Sequence, residues 1–335
     1  MRLGISLTTL FLFLYCSVCP TFAEPTAPSL LTHDIEDFSS VIRSIIRYDG
    51  RIWFGTYGRG VFSLKSDGSL INYRSDNSPL LDNRVNTLSV FKGELWLGTC
   101  AGLNRFDGKT WKKVTAGPSS VSGNIYHCAR VSADGDSIWI GTTGNGLSVY
   151  RDEKWLCYDK GDGLNSNWIN DVAFVKGSIW VATSNGICRR YKDQGRWKSE
   201  TPRDFPLNNN TVWIAHVPSR EELWIASAER GVWYRQDGYW NHPPDSLLAS
   251  PKVFCLEADQ EGNLWIGTKR GISRYHLATG WVSFKKENGL LDPYTKVLYW
   301  DAEARSLWAG SFGGVLSRYD GKEWKAIVKD NDYIR

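Results

Sequence analysis

The sequence predicts an all-β fold, a seven-bladed β-propeller with four antiparallel strands per blade. Three observations carry the prediction. A short phrase built on Trp recurs seven times: Ile52 to Thr56, Leu95 to Thr99, Ile138 to Thr142, Ile179 to Thr183, Leu223 to Ser227, Leu264 to Thr268 and Leu307 to Ser311. Its Trp residues are spaced 43, 43, 41, 44, 41 and 43 apart, a period that marks a repeat architecture. A Gly follows each of these Trp by six or seven residues, and a second Trp follows further on in all repeats but the first.

Each repeat reads as four strands in order. An apolar run such as Val85 to Val90 or Val253 to Ala258 comes first, and the Trp phrase is the second strand. Both are short apolar runs bounded by turn residues, the pattern of buried strands. Gly60, Gly102, Gly146, Gly186, Gly231, Gly271 and Gly314 mark a tight turn whose backbone angle favours Gly. A third strand ends in an aromatic: Phe62, Phe106, Tyr150, Tyr191, Tyr234, Tyr275 or Tyr319. Asp-Gly pairs at 107–108, 237–238 and 320–321 signal hairpins into the fourth strand. That strand opens with Trp111, Trp155, Trp197, Trp240, Trp281 or Trp324, and with Leu70-Ile71 in the first repeat. Such a sheet is apolar on both faces and cannot stand alone. Seven packed around an axis bury those faces and leave only short edges. A β-helix is the rival, but its coils are shorter and lack three tight turns per period. The recurring Trp residues are expected to pack between blades.

Residues 1–23 read as a secretory signal, with Arg2, an apolar stretch Leu10 to Tyr15 and a cleavage site after Ala23. That stretch is too short for a membrane span. Cys16 and Cys19 lack the lead-in of a lipidated Cys. Residues 24–40 form an arm, and the propeller occupies 41–330. Its blades fall at about 41–75, 84–116, 124–160, 168–202, 211–244, 252–287 and 294–330. No exchanged strand is evident at the closure of the ring, unless Leu30 to Ile35 adds to the last blade.

Loss of Arg2 with the signal leaves 39 basic residues against 36 acidic, with no basic run or stripe to suit nucleic acid. Cys100, Cys128, Cys157, Cys188 and Cys255 would remain, in no metal or redox spacing. Most fall in strands, as small buried hydrophobes. Cys100 and Cys128 lie on adjacent blades at a spacing compatible with pairing. The five His (His33, His127, His216, His242 and His276) share no metal spacing, and the Asp-Gly pairs lack the alternating carboxylates of a calcium loop. No phosphate loop, dinucleotide fingerprint or Gly-x-Ser-x-Gly occurs. No cofactor, metal site or catalytic set is therefore expected. His127 and His216, on inner strands, are the candidates for a general base.

Binding has better support. The turns after the Trp strand and the connections between blades open on one face. There stand Tyr57, Arg59, Asn145, Arg230, Lys269, Arg270 and Phe312 from the turns, and Tyr126, Trp168, Trp213 and Tyr294 from the connections. Aromatics beside Arg suit a sugar, an acidic ligand or a protein hot spot. The same aromatics would serve equally as a plug for the central channel.

The run Leu264 to Tyr275, and Leu95 to Asp107, resembles the two-component regulator propeller repeat. That repeat reads Gly-Asn-Leu-Trp-Ile-Gly-Thr, a short turn, Gly-Leu, then an aromatic and Asp; residues 262–268 match it closely. The resemblance extends over about 41–328. It implies the periplasmic sensing module of hybrid two-component receptors, some of which respond to oligosaccharides. Such receptors carry two propellers, an immunoglobulin-like domain, a membrane span and a kinase, which this sequence does not show. The expectation is a periplasmic or secreted recognition propeller for a protein or glycan, without its own signalling output. The alternatives are a propeller enzyme such as a lyase, or a scaffold in an envelope complex.

Overall fold

A computed structural model describes residues 40–114, 128–191, 194–202, 205 and 211–329. The signal, all of the arm but residue 40, the tail beyond 330, Tyr126 and His127 lie outside them. The chain forms seven four-stranded antiparallel sheets, each running first strand to fourth in chain order. Their strands span 42–73, 85–113, 128–158, 169–199, 211–241, 253–284 and 295–328. The first strands neighbour one another around the axis, blade 7 against blade 1 included. Among the described residues no helix is long and apolar enough to cross a membrane.

The recurring phrase has a physical reason at each position. The Gly after the Trp strand has positive φ in every blade, for example 79° at Gly60 and 135° at Gly271. The hydroxyl closing the phrase holds that turn: Thr56, Thr99, Thr142, Thr183 and Thr268 Oγ1 donate to the Gly carbonyl at 2.8–2.9 Å. The seven phrase Trp residues are at most 5% exposed. Each packs forward onto the next blade: Trp53 on Val85 and Leu97, Trp96 on Ile138 and Ile140, Trp139 on Ile169 and Val181. The series continues with Trp180 on Ile214, Trp224 on Leu256, Trp265 on Leu298 and Trp308 on Ile42. The core is thus seven blade-to-blade interfaces rather than one centre.

All seven first strands carry a β-bulge after their first residue pair. An inner edge strand would leave N–H groups unpaired. Side chains of the preceding blade satisfy several. Leu88 N–H donates to Ser44 Oγ at 2.9 Å, Ile214 N–H to Asp171 Oδ2 at 2.8 Å, and Trp300 N–H to Glu257 Oε1 at 3.0 Å.

The ring closes by packing. Blades 1 and 7 each hold four consecutive strands of their own, with no exchanged strand among the described residues. Ile42, Ile45 and Phe54 meet Val297, Trp308 and Leu316 across the seam. Arg47 grips Asp301 through Nε to Oδ1 at 2.9 Å and Nη2 to Oδ2 at 2.5 Å. Desolvation pushes the Asp301 carboxyl up. The Arg47 hydrogen bond, the Ala304 N–H and the Arg47 charge outweigh it and leave its pKa below the ordinary value.

Candidate functional site

The turns after the second strands and the connections between blades meet on one face. Backbone ladders tie them together there. Tyr57, Cys100, Ser184, Lys269 and Phe312 N–H donate to the carbonyls of Val41, Arg84, Trp168, Lys252 and Tyr294 at 3.0–3.1 Å. The bulge residues Arg43, Asn86, Asn170, Phe254 and Lys296 sit one step inside this ring, where the strands reach the channel mouth. Three of them touch the residue that follows the second strand of their own blade. The Arg43 guanidinium lies 5.3 Å from the Tyr57 ring centre, Asn86 Nδ2 lies 3.6 Å from Cys100 Sγ, and Lys296 Nζ lies 5.6 Å from the Phe312 ring.

The richest sector spans blades 6, 7 and 1. Tyr294 stacks on Phe312 with centroids 3.8 Å apart and an interplanar angle of 26°. Phe254 meets both rings, at 5.3 Å and 5.2 Å. Lys296 Nζ stands 5.7 Å from Phe254, so one cation serves two rings. Phe312 is only 1% exposed, whereas Tyr294, Phe254 and Lys296 are half-buried. Phe312 is therefore the floor of the cluster rather than a rim anchor, and Tyr294 is the ring laid on top. Asp292 shapes the approach: its Oδ1 accepts from Tyr294 N–H at 3.0 Å and its Oδ2 from Gly313 N–H at 2.9 Å.

The other expected residues are dispersed. Trp168 lies across the ring, between the turns of blades 3 and 4, bridged to Thr143 and carrying the Ser184 hydrogen bond. Asn145, Arg230 and Arg270 are exposed on their turns, and Arg59 is half-buried on its own. Trp213 is inside the first strand of blade 5, opposite Ala226, and packs into the blade 5–6 and 6–7 cores. Arg43, Phe254 and Lys296 escaped sequence reading because they occur within runs that look like core strand. A polar residue or a second aromatic near the start of such a run was the available signal.

His216 sits at the opposite end of its strand, facing Leu223. Burial lowers its pKa, and the Lys176 charge adds to this against Glu221. It stands at the end of the strand away from the mouth. The opposite face also has a shallow depression of about 780 Å³ over blades 7, 1 and 2. Its charges are largely engaged, Asp301 with Arg47 and Asp107 with Lys112 and the Lys109 and Thr110 N–H groups. Cys100, Cys188 and Cys255 are buried as expected, but Cys157 is exposed on an outer strand. The Cys128 side chain lies outside the described residues. No cluster of His, Cys, Asp or Glu suited to a metal occurs among them.

Residues 247–270 match the family profile described as Two component regulator propeller. No curated protein sequence matches the chain. The extracellular domain of a proposed one-component system from B. thetaiotaomicron superposes with a TM-score of 0.68 at 22% identity, over 83% of this chain and 38% of that one. That of a proposed hybrid two-component system from the same organism gives 0.71 at 17% identity, over 85% and 40%. Virginiamycin B lyase from Staphylococcus aureus gives 0.65 at 16% identity, over 82% and 92%. The chain thus spans about two fifths of the regulator domains. At these identities the likeness shows the fold, which extracellular domains of such systems and an enzyme share.

Proposed function

We propose that this chain is a recognition propeller of the periplasm or cell exterior, binding a ligand or protein partner at the channel mouth over blades 6, 7 and 1. The carrying observation is the cluster of Phe254, Tyr294 and Phe312 with Lys296 beside it. Aromatic rings and cations gathered at the mouth of a rigid ring are the elements of a binding hot spot. The signal-like residues 1–23 and the likeness to extracellular regulator domains favour the location. A non-catalytic role fits the position of His216, which is remote from the mouth.

Thermal shift of the purified full chain against oligosaccharides, small acids and divalent metals tests this. A ligand at about 100 times its Kd adds roughly 2.7 kcal/mol of stability. A saturable shift that Tyr294→Ala abolishes is the expected result. A saturable shift unaffected by Tyr294→Ala and Lys296→Ala would place binding elsewhere. Turnover lost with His216→Ala would favour the enzyme.

A further inference from the structure

The chain enters the propeller on the mouth face. Ser40 is 4% exposed and packs on the turn of blade 7, where a Cβ on Gly314 would meet the Ser40 Cβ at 2.8 Å and its carbonyl at 3.2 Å. The next residue is tied to blade 1, the Val41 carbonyl accepting from Tyr57 N–H at 3.0 Å. Phe312 belongs to the same blade 7 turn as Gly314, so the segment before residue 40 starts beside the aromatic cluster. An extended chain covers about 3.3–3.6 Å per residue, and residues 34–38 alone reach roughly 17 Å. That is enough to cross the three rings, whose centroids lie 3.8–5.3 Å apart.

The composition of that segment is the complement of the mouth. Residues 24–39 carry Glu24, Asp34, Glu36 and Asp37 and no Lys or Arg, and Ile35 and Phe38 stand among the last three acids. On the mouth side, Lys296 and Arg43 occupy the bulges of neighbouring first strands, each beside aromatic rings. The acid there, Asp292, accepts from backbone N–H groups with both oxygens. We propose that residues 24–39 are the mouth's own occupant: the arm folds back over the cluster, Asp34, Glu36 and Asp37 meet Lys296 and Arg43, and Ile35 and Phe38 lie against the rings. This concerns the mouth assigned above and rests on that reading. A short tether holds its segment at an effective concentration on the order of millimolar, so weak contacts suffice to fill the mouth, and an external partner must displace the arm.

Carbodiimide, which joins a carboxylate directly to an amine, tests the placement on the full chain. Mass spectrometry of the digest should find Asp34, Glu36 or Asp37 joined to Lys296, less so as salt rises. Lys296→Arg should lose that cross-link. Cross-links only to Lys322 or Lys325 would put the arm on the outer edge of blade 7, a covalent dimer would put it in a second copy, and either overturns the proposal. A labelled peptide of sequence 24–39, followed by fluorescence polarisation, tests occupancy. It should bind the full chain carrying Asp34→Asn, Glu36→Gln and Asp37→Asn at least ten times tighter than the parent, whose own arm competes. The advantage should persist when Lys296→Arg is added and vanish with Lys296→Glu. Equal affinity for parent and triple variant, or no binding to either, overturns the arm as occupant. An external ligand's thermal shift that Tyr294→Ala abolishes reads the recognition function separately, so its survival without cross-link or competition refutes the arm alone.

Discussion

Trp139→Ala removes one blade-to-blade wedge and measures what holds the ring. The side chain is 5% exposed and packs among Ile169, Val172 and Val181 of the next blade, with Tyr158 and Phe174 rings at 6.3 Å and 6.0 Å. Its Nε1 has no hydrogen-bond partner among the described residues, so truncation orphans no acceptor. A buried Trp takes roughly 150–250 Å² out of water. At about 25 cal/mol per Å² this is worth roughly 4–6 kcal/mol as an upper value, since the unfolded chain is itself partly compact. Partial collapse of the cavity brings the expected cost to about 3–5 kcal/mol. At about 2 °C per kcal/mol for a chain of this size, Tm should fall by about 6–10 °C. Urea unfolding followed by circular dichroism should show a lower midpoint with an unchanged slope. An unchanged midpoint would refute the inter-blade wedge, and a split transition would refute cooperative unfolding of the ring.

Other perturbations address the seam and the thiols. Gly310→Ala would place a Cβ 2.5 Å from Ile42 Cγ2 and 2.8 Å from Val297 Cγ1, so overpacking should cost about 1–3 kcal/mol by calorimetry. Asp301→Asn should cost about 1.5–3 kcal/mol near neutral pH, because it removes a charged partner of Arg47. The folded pKa of Asp301 lies below its ordinary value, so its contribution is complete above the ordinary carboxylate range and is lost as pH falls through the depressed value. Denaturation across acid pH should therefore show a shallower decline for the Asn variant than for the parent. Burial pushes the Cys188 thiol up to about 11 and the Cys255 thiol up to about 12. Both should resist a disulfide reagent at pH 8 until urea unfolds the chain, read by mass spectrometry of the labelled peptides.

Much of the framework was legible because it is local and periodic. A Gly at positive φ, a hydroxyl closing the turn and a Trp wedge recur since each blade solves the same packing problem. The mouth is different. A bulge inserts one residue into each inner strand and reverses the facing of the residues beyond it, so Arg43, Phe254 and Lys296 leave the alternation that linear reading assumes. Phe312 from a turn and Tyr294 from a connection were both expected at the rim, yet Phe312 is the floor and Tyr294 the ring laid on it. Trp213 stood just past a connection in the sequence and lies half-buried inside a first strand, packed against two blade-to-blade cores.

By itself the sequence determined the number of blades, their strand order and the Trp that joins each to the next, because those depend on contacts repeated every 41–44 residues. Only the tertiary structure decided which side chains share the mouth and how the ring closes. Phe254 meets Phe312 across two blades, and Arg47 meets Asp301 across 254 positions of chain. Neither pairing leaves a local pattern, since closing a circle brings together residues whose separation in sequence carries no period.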